Sequence, residues 1–194
     1  MKIIDITRTL QDAPLYPGTE PAEFTKLKAV ENGDEYDLSV IRADVHTGTH
    51  ADAFSHFLGA EGAAIDKMPL ELYCGKCRVV STPTQGLVTL EDLRGKIAGA
   101  EKIVLHTAGE AYLCEEAAEY LVSCGVKTVV TDAVSVAPED NESAVHLIFF
   151  NAGTAVIENA VLDGVEDGEY LLFAFPVKYG GCEAAPVRAV LITE

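Results

Sequence analysis

Residues 102–132 read KIVLHTAGEAYLCEEAAEYLVSCGVKTVVTD. KIVLHT (102–107) is a short apolar run rich in β-branched residues, and VKTVVTD (126–132) is a second. Between them Leu113, Ala117, Tyr120, Leu121 and Cys124 recur at helical spacing, and Gly125 stands where a C-terminal cap belongs. Strand, helix, strand in that order predicts a βαβ unit with parallel strands. Units of this kind carry function at the carboxyl ends of their strands.

Outward from this unit, CRVVS (77–81), TAVIE (154–158), YLLFAF (170–175) and VRAVLI (187–192) read as strands. TLEDLRG, with Thr89 as N-cap, and ESAVHLIFFNAG, closing at Asn151 and Gly153, read as short helices. Strands outnumber helices and at least one crossover is parallel, so an α/β domain with a mixed sheet is expected rather than a doubly wound one. The glycine pattern of dinucleotide-binding folds is absent. The 194 residues are enough for one core, and no repeat, linker or composition shift divides them, which predicts a single domain over residues 1–194.

Thirty-one acidic against 14 basic residues give a formal net charge of -17. That balance repels phosphate backbones and anionic lipid surfaces, so neither nucleic acid nor a membrane is expected as a partner. Solubility is the simplest reading of the acidity, and compensation of bound cations is a lesser one. No run approaches the roughly 18 apolar residues of a membrane span, and Met1-Lys2-Ile3-Ile4-Asp5 lacks the apolar stretch of a signal peptide, which predicts a cytoplasmic protein. The five cysteines are expected as reduced thiols. Cys74 and Cys77 have metal or redox spacing, but no second such pair exists and a strand follows them, so they are read as structural.

Three of the five histidines fall within HTGTHADAFSH (46–56), which also holds Asp52. His46, His50, Asp52 and His56 stand at offsets 0, 4, 6 and 10. Ligands about 2 Å from one divalent ion must themselves lie close together. A continuous helix turns Asp52 about 120° away from His46, and a straight strand separates His46 from His50 by about 13 Å. The chain must therefore curl, and Gly48 between two threonines is the natural bend. A histidine cluster sharing a carboxylate points to a bound divalent metal. Two imidazoles and a carboxylate with an open position suit zinc, with manganese or iron(II) compatible.

HTGTHADAFSH resembles the signature HxGTHxDxPxH of the cyclase family of metal-dependent hydrolases, which includes bacterial kynurenine formamidases and isatin hydrolases. YPGTEP near the amino end, and TDAVSV, VIEN and FAFPVKYGGCEAAPVRAV farther on, resemble other segments of that family, so the likeness covers nearly the whole chain. The resemblance implies a swivelling β/β/α fold with a mixed sheet and flanking helices, commonly assembled as a homodimer or homotetramer. It implies a first metal held by His46, His50 and Asp52, and a second bridged by Asp52 and completed by His146 and Glu158. Zinc is the expected ion and manganese the next, in one or two copies. It makes His56 the proton donor and acceptor while metal-bound hydroxide attacks an amide carbon of a small-molecule substrate. His106 is left over and is read as structural.

Two departures bear on the substrate. Phe54 stands where the family has proline, and Tyr16 where the kynurenine formamidases carry tryptophan; both are expected beside the substrate, Tyr16 at its own or a neighbouring chain's site. Cys182 and Glu183 also depart from the formamidase pattern. An aryl formamide is the expected substrate, with a cyclic amide such as a lactam or imide as the alternative. A metal-binding oligomeric module without catalysis is the reading from a different class, and His56, which the first metal does not need, argues against it.

Overall fold

A computed structural model describes residues 1–97 and 99–193. The first half runs β1 (Lys2–Asp5), β2 (Glu23–Lys28), β3 (Leu38–Arg42), β4 (His50–Asp52), α1 (Ser55–Leu58), β5 (Cys74–Ser81), β6 (Gly86–Val88) and α2 (Leu90–Leu93). The second half runs β7 (Lys102–His106), β8 (Ala111–Leu113), α3 (Glu115–Ser123), β9 (Thr128–Thr131), α4 (Glu142–Asn151), β10 (Ala155–Glu158), β11 (Gly168–Phe173), β12 (Ala184–Pro186) and β13 (Val190–Thr193).

Nine strands make one mixed sheet in the order β1-β13-β11-β5-β7-β9-β10-β4-β12. Its centre, β5-β7-β9-β10, is parallel, and the strands on both sides are antiparallel. This is the expected α/β architecture. Parallel neighbours need crossovers, and the helices that supply them cover one face. There Ile103, Leu105, Val129 and Val156 meet Leu93 of α2, Ala117 and Leu121 of α3, and Val145 and Phe149 of α4. On the other face Val79, Val104, Val130, Ile157 and Leu172 pack with Ile6, Tyr73 and Leu191.

The βαβ unit forms as the spacing predicts, with Lys102↔Thr128 and Val104↔Val130 in parallel register. Gly125 ends α3 with φ +83, in the left-handed region that glycine enters without penalty. One detail differs. Leu113 falls in helical phase but belongs to β8, paired with Val88 of β6, because its N–H is taken by the Val136 carbonyl at 2.8 Å. α3 therefore starts later, at Glu115. Thr89 caps α2 through a reciprocal box with Asp92. Cys74 and Cys77 lie three apart on β5, a spacing that sends strand side chains to opposite faces, so they do not converge on an ion. Burial pushes the Cys77 thiol up to about 12.

β2 and β3 form a separate ribbon whose apolar residues Phe24, Leu27, Leu38, Val40 and Ile41 are all exposed. Leu121, by contrast, is fully buried between α3 and the sheet. Leu121→Ala is expected to destabilise the fold by about 2–5 kcal/mol, seen as a lower urea midpoint with an unchanged slope.

Candidate metal centre

The chain reaches β4 through a tight turn. Gly48 has φ +71, and a Cβ there would stand 2.9 Å from Leu10 Cδ2, so the bend needs glycine for its conformation and for its room. Thr49 locks the turn: its hydroxyl donates to the Asn159 carbonyl at 2.7 Å and accepts the Arg8 N–H at 2.7 Å. β4 then runs between β10 and β12, with His50 opposite Glu158 and Pro186, and Asp52 opposite Ala184. Strand alternation puts His50 and Asp52 on one face and sends Ala51 into the core. α4 brings His146 to the same place.

These residues converge. Asp52 Oδ1 lies 3.1 Å from His46 Nδ1 and 3.5 Å from His50 Nε2, while Oδ2 lies 3.4 Å from His146 Nε2. Glu158 stands between the histidines, Oε2 at 3.4 Å from His50 Nε2 and Oε1 at 3.4 Å from His146 Nε2. Two triads result, His46-His50-Asp52 and Asp52-His146-Glu158, each with one ligating atom per residue and all three within 4.8 Å of one another.

Two of the three imidazoles are oriented from behind. His50 Nδ1 is 2.9 Å from the Gly48 carbonyl and His146 Nδ1 is 2.9 Å from the Glu142 carbonyl. A carbonyl only accepts, so Nδ1 carries the proton and donates it, which turns Nε2 on the cluster. Glu158 Oε1 also accepts the Val136 N–H at 2.8 Å. Yet His50 Nε2, His146 Nε2 and both Asp52 oxygens, all buried, have no aligned hydrogen-bond partner among the described residues. Buried polar atoms ordinarily have one. Imidazoles and carboxylates left with unengaged atoms at such short separations are a donor set that fits a divalent cation.

Electrostatics carry the same message. Burial disfavours an imidazolium, but the Asp52 and Glu158 carboxylates outweigh it and hold His50 and His146 up at about 10; His46 is raised by Asp52 against the same opposition. Asp52 is fully buried, and still the three imidazoles keep it well below the usual carboxylate range. Burial and the Asp52 charge push Glu158 up, and His146 and His50 bring it down past its ordinary value. Without a cation, protons on the histidines balance the buried carboxylates.

Above the cluster is a cavity of about 210 Å³ whose lining includes Leu15, Tyr16, Asp44, His56, Phe57, Glu142 and Asn159. His56, from α1, sets its ring 4.4 Å from that of His46 and 6.1 Å from that of His146. Burial lowers its pKa. Tyr16 lines this chain's own cavity, its hydroxyl donating to Glu142 Oε2 at 2.9 Å. His106 belongs to neither triad; it ends β7, 3.9 Å from Asp132 Oδ2.

Phe54 is placed differently from the expectation. It is not in the cavity lining but packs on Phe150 at 5.7 Å, and Phe57 supplies the aromatic wall, stacked on His146 at 4.6 Å. The backbone at Phe54 is proline-compatible. Phe54 has φ -60, the value proline would impose. A Cβ on Gly62 would come within 2.4 Å of the Phe54 carbonyl carbon, and the Ser55 N–H donates to the Ala63 carbonyl, so the segment bearing His56 is pressed in place. Glu142 was not among the expected site residues, although its position four before His146 on a helix marks it as that residue's neighbour. Phe57 was missed because it reads as an ordinary apolar helix residue.

Comparison with known proteins agrees with this geometry. Residues 4–138 match the family described as "Putative cyclase". Kynurenine formamidase of Bacillus cytotoxicus is 29% identical over an alignment of 201 positions that covers 97% of this chain and 96% of that protein. A solved structure described as a "potential metal-dependent hydrolase with cyclase activity" has a TM-score of 0.81 at 28% identity, over 98% of this chain and 96% of that one. Isatin hydrolase A of Labrenzia aggregata, at 21% identity, shares the fold with a TM-score of 0.84 over 100% of this chain and 94% of its own.

Two measurements follow from the paired triads. Plasma mass spectrometry should count two ions per chain in the metal-loaded protein and one in His146→Ala; one ion in both would mean that Asp52-His146-Glu158 binds none. Because His50 and His146 hold their protons up to about 10 without metal, loading at pH 8 must expel them. Calorimetry in buffers of different ionisation enthalpy should show net proton release, and no buffer dependence would contradict the assignment.

Proposed function

The chain belongs to the cyclase family, and from that premise we propose that it is a metal-dependent amide hydrolase cleaving the carbon–nitrogen bond of an aryl formamide. The observation that carries this is the division of the Asp52 oxygens between two histidine-bearing triads beneath a cavity with aromatic walls and His56 at its side. His46, His50 and Asp52 would hold one divalent cation, and Asp52, His146 and Glu158 a second. A bound cation supplies Lewis acidity, lowering the pKa of water and polarising a carbonyl.

The rest falls to the protein. His56, with its pKa below the ordinary value, is neutral at pH 7 and accepts a proton from the attacking water. The imidazolium then returns that proton to the departing nitrogen, which is otherwise a poor leaving group. Tyr16, Leu15 and Phe57 offer the flat apolar surfaces an aromatic ring needs.

Zinc is the ion we favour, with manganese the alternative, because both accept mixed imidazole and carboxylate ligands. We assign the protein to the cytoplasm, in keeping with five free thiols, and take residues 1–194 as one catalytic domain. A homodimer or homotetramer is supported by the exposed β2–β3 ribbon, since an isolated two-stranded ribbon with apolar residues in water is marginal by itself.

His56→Ala should lower kcat for an N-formyl arylamine by about 10²–10⁴ with metal content unchanged. Wild-type turnover in that variant removes His56 from the reaction. If the metal-loaded wild type hydrolyses no aryl formamide, the substrate assignment is wrong.

A further inference from the structure

The cavity has a second electrostatic character, set by residues outside the triads. Asp44 and Glu142 bring carboxylates to its lining, and among the described residues no lysine or arginine lines it. Glu142 is fixed from two sides, Oε2 accepting from the Tyr16 hydroxyl at 2.9 Å and Oε1 from the Ser135 hydroxyl at 3.1 Å. Both donors are neutral, so they position the carboxylate and leave its charge. Asp44 Oδ1 accepts the His46 backbone N–H at 3.0 Å. Among the described residues neither acid takes part in an ion pair. Arg8 is close in the fold, but its Nη2 donates to the Ala160 carbonyl and it does not line the cavity.

Asn159 adds an independent observation. It lines the same cavity, is only 3% exposed, and its Oδ1 has no hydrogen-bond partner. Its backbone is already engaged, the N–H with the Ala133 carbonyl and the carbonyl with the Thr49 hydroxyl. Its side-chain oxygen is thus left without a partner among the described residues, where buried polar atoms ordinarily have one.

Away from the cluster, then, the wall carries two carboxylates and, among the described residues, no basic side chain. An ammonium has three donors, no acceptor and a positive charge; a carboxylate has acceptors alone and a charge of the wrong sign. The net charge of -17 on the whole chain adds a field of the same sense. We propose that this cavity selects amides whose non-reacting end carries an ammonium and rejects those carrying a carboxylate, with Glu142 as the specificity-determining residue and Asn159 as its neutral companion. The inference rests on the aryl formamide reading for the reacting end alone.

Three formanilides, alike except for a side chain ending in an ammonium, a hydroxyl or a carboxylate, test it on the metal-loaded full chain. The three corresponding anilines, titrated calorimetrically, give affinities that need no turnover. The ammonium compound should exceed the carboxylate compound at least tenfold in kcat/KM and in affinity, with the preference shrinking as salt is raised. Glu142→Gln keeps size and an acceptor for Tyr16, and should reduce that ratio about tenfold, through KM more than kcat. Anilines that rank as expected while no formanilide is hydrolysed uphold the charge selection and remove only the formamide reading. Equal or tighter binding of the carboxylate compound overturns the proposal, and a ratio unchanged in Glu142→Gln overturns the role of Glu142.

Discussion

Two carboxylates, Asp52 and Glu158, are buried where the sheet, α4 and the 46–49 turn meet, and much of the surrounding structure answers to them. A lone carboxylate moved out of water costs several kcal/mol even after relaxation, so it survives only beside matching positive charge. Here the match is three imidazoles, and each requires a different device. His46 needs the turn at Gly48, His50 needs β4 paired between β10 and β12, and His146 needs α4 laid with its first turns over the cluster. Removing His50 or His146 leaves the two buried carboxylates short of one positive charge.

The same balance explains how the fold tolerates so unfavourable an interior before metal arrives. Protons on His50 and His146 act as stand-in cations, each delocalised over a ring whose far nitrogen is tied to a backbone carbonyl. His56 and Phe57 sit on α1, whose start is fixed by the Gly62 contact and by the Ser55 N–H on the Ala63 carbonyl.

The legibility of these features in the sequence followed the range of the interactions. His46, His50, Asp52 and His56 lie within eleven residues, and spacing alone showed that neither helix nor strand could gather them without a bend at Gly48. His146 and Glu158 are about a hundred residues away, and only the β4–β10 pairing and the course of α4 bring them in; resemblance to a family indicated them, periodicity did not. The βαβ unit was plain because its helix carries a strong apolar phase. Leu113 misled for the same reason, since a single backbone hydrogen bond to Val136 outweighs a side chain that happens to be in phase. Phe54 misled because its chemistry suggested the substrate while its backbone is compatible with the missing proline.

The pairing of His50 with Glu158, and of Asp52 with Ala184, also bears on how the chain folds. β4 is only three residues long, and short strands are weakly held in register by their own hydrogen bonds. A slip of one residue would exchange faces, placing Ala51 over the histidines and driving an imidazole and a carboxylate into the apolar layer around Ile157 and Val130. No misaligned arrangement can satisfy those charges. The ionisable residues thus serve as an alignment mark during assembly, and substitutions that neutralised them all would remove the candidate metal ligands and a proofreading device together.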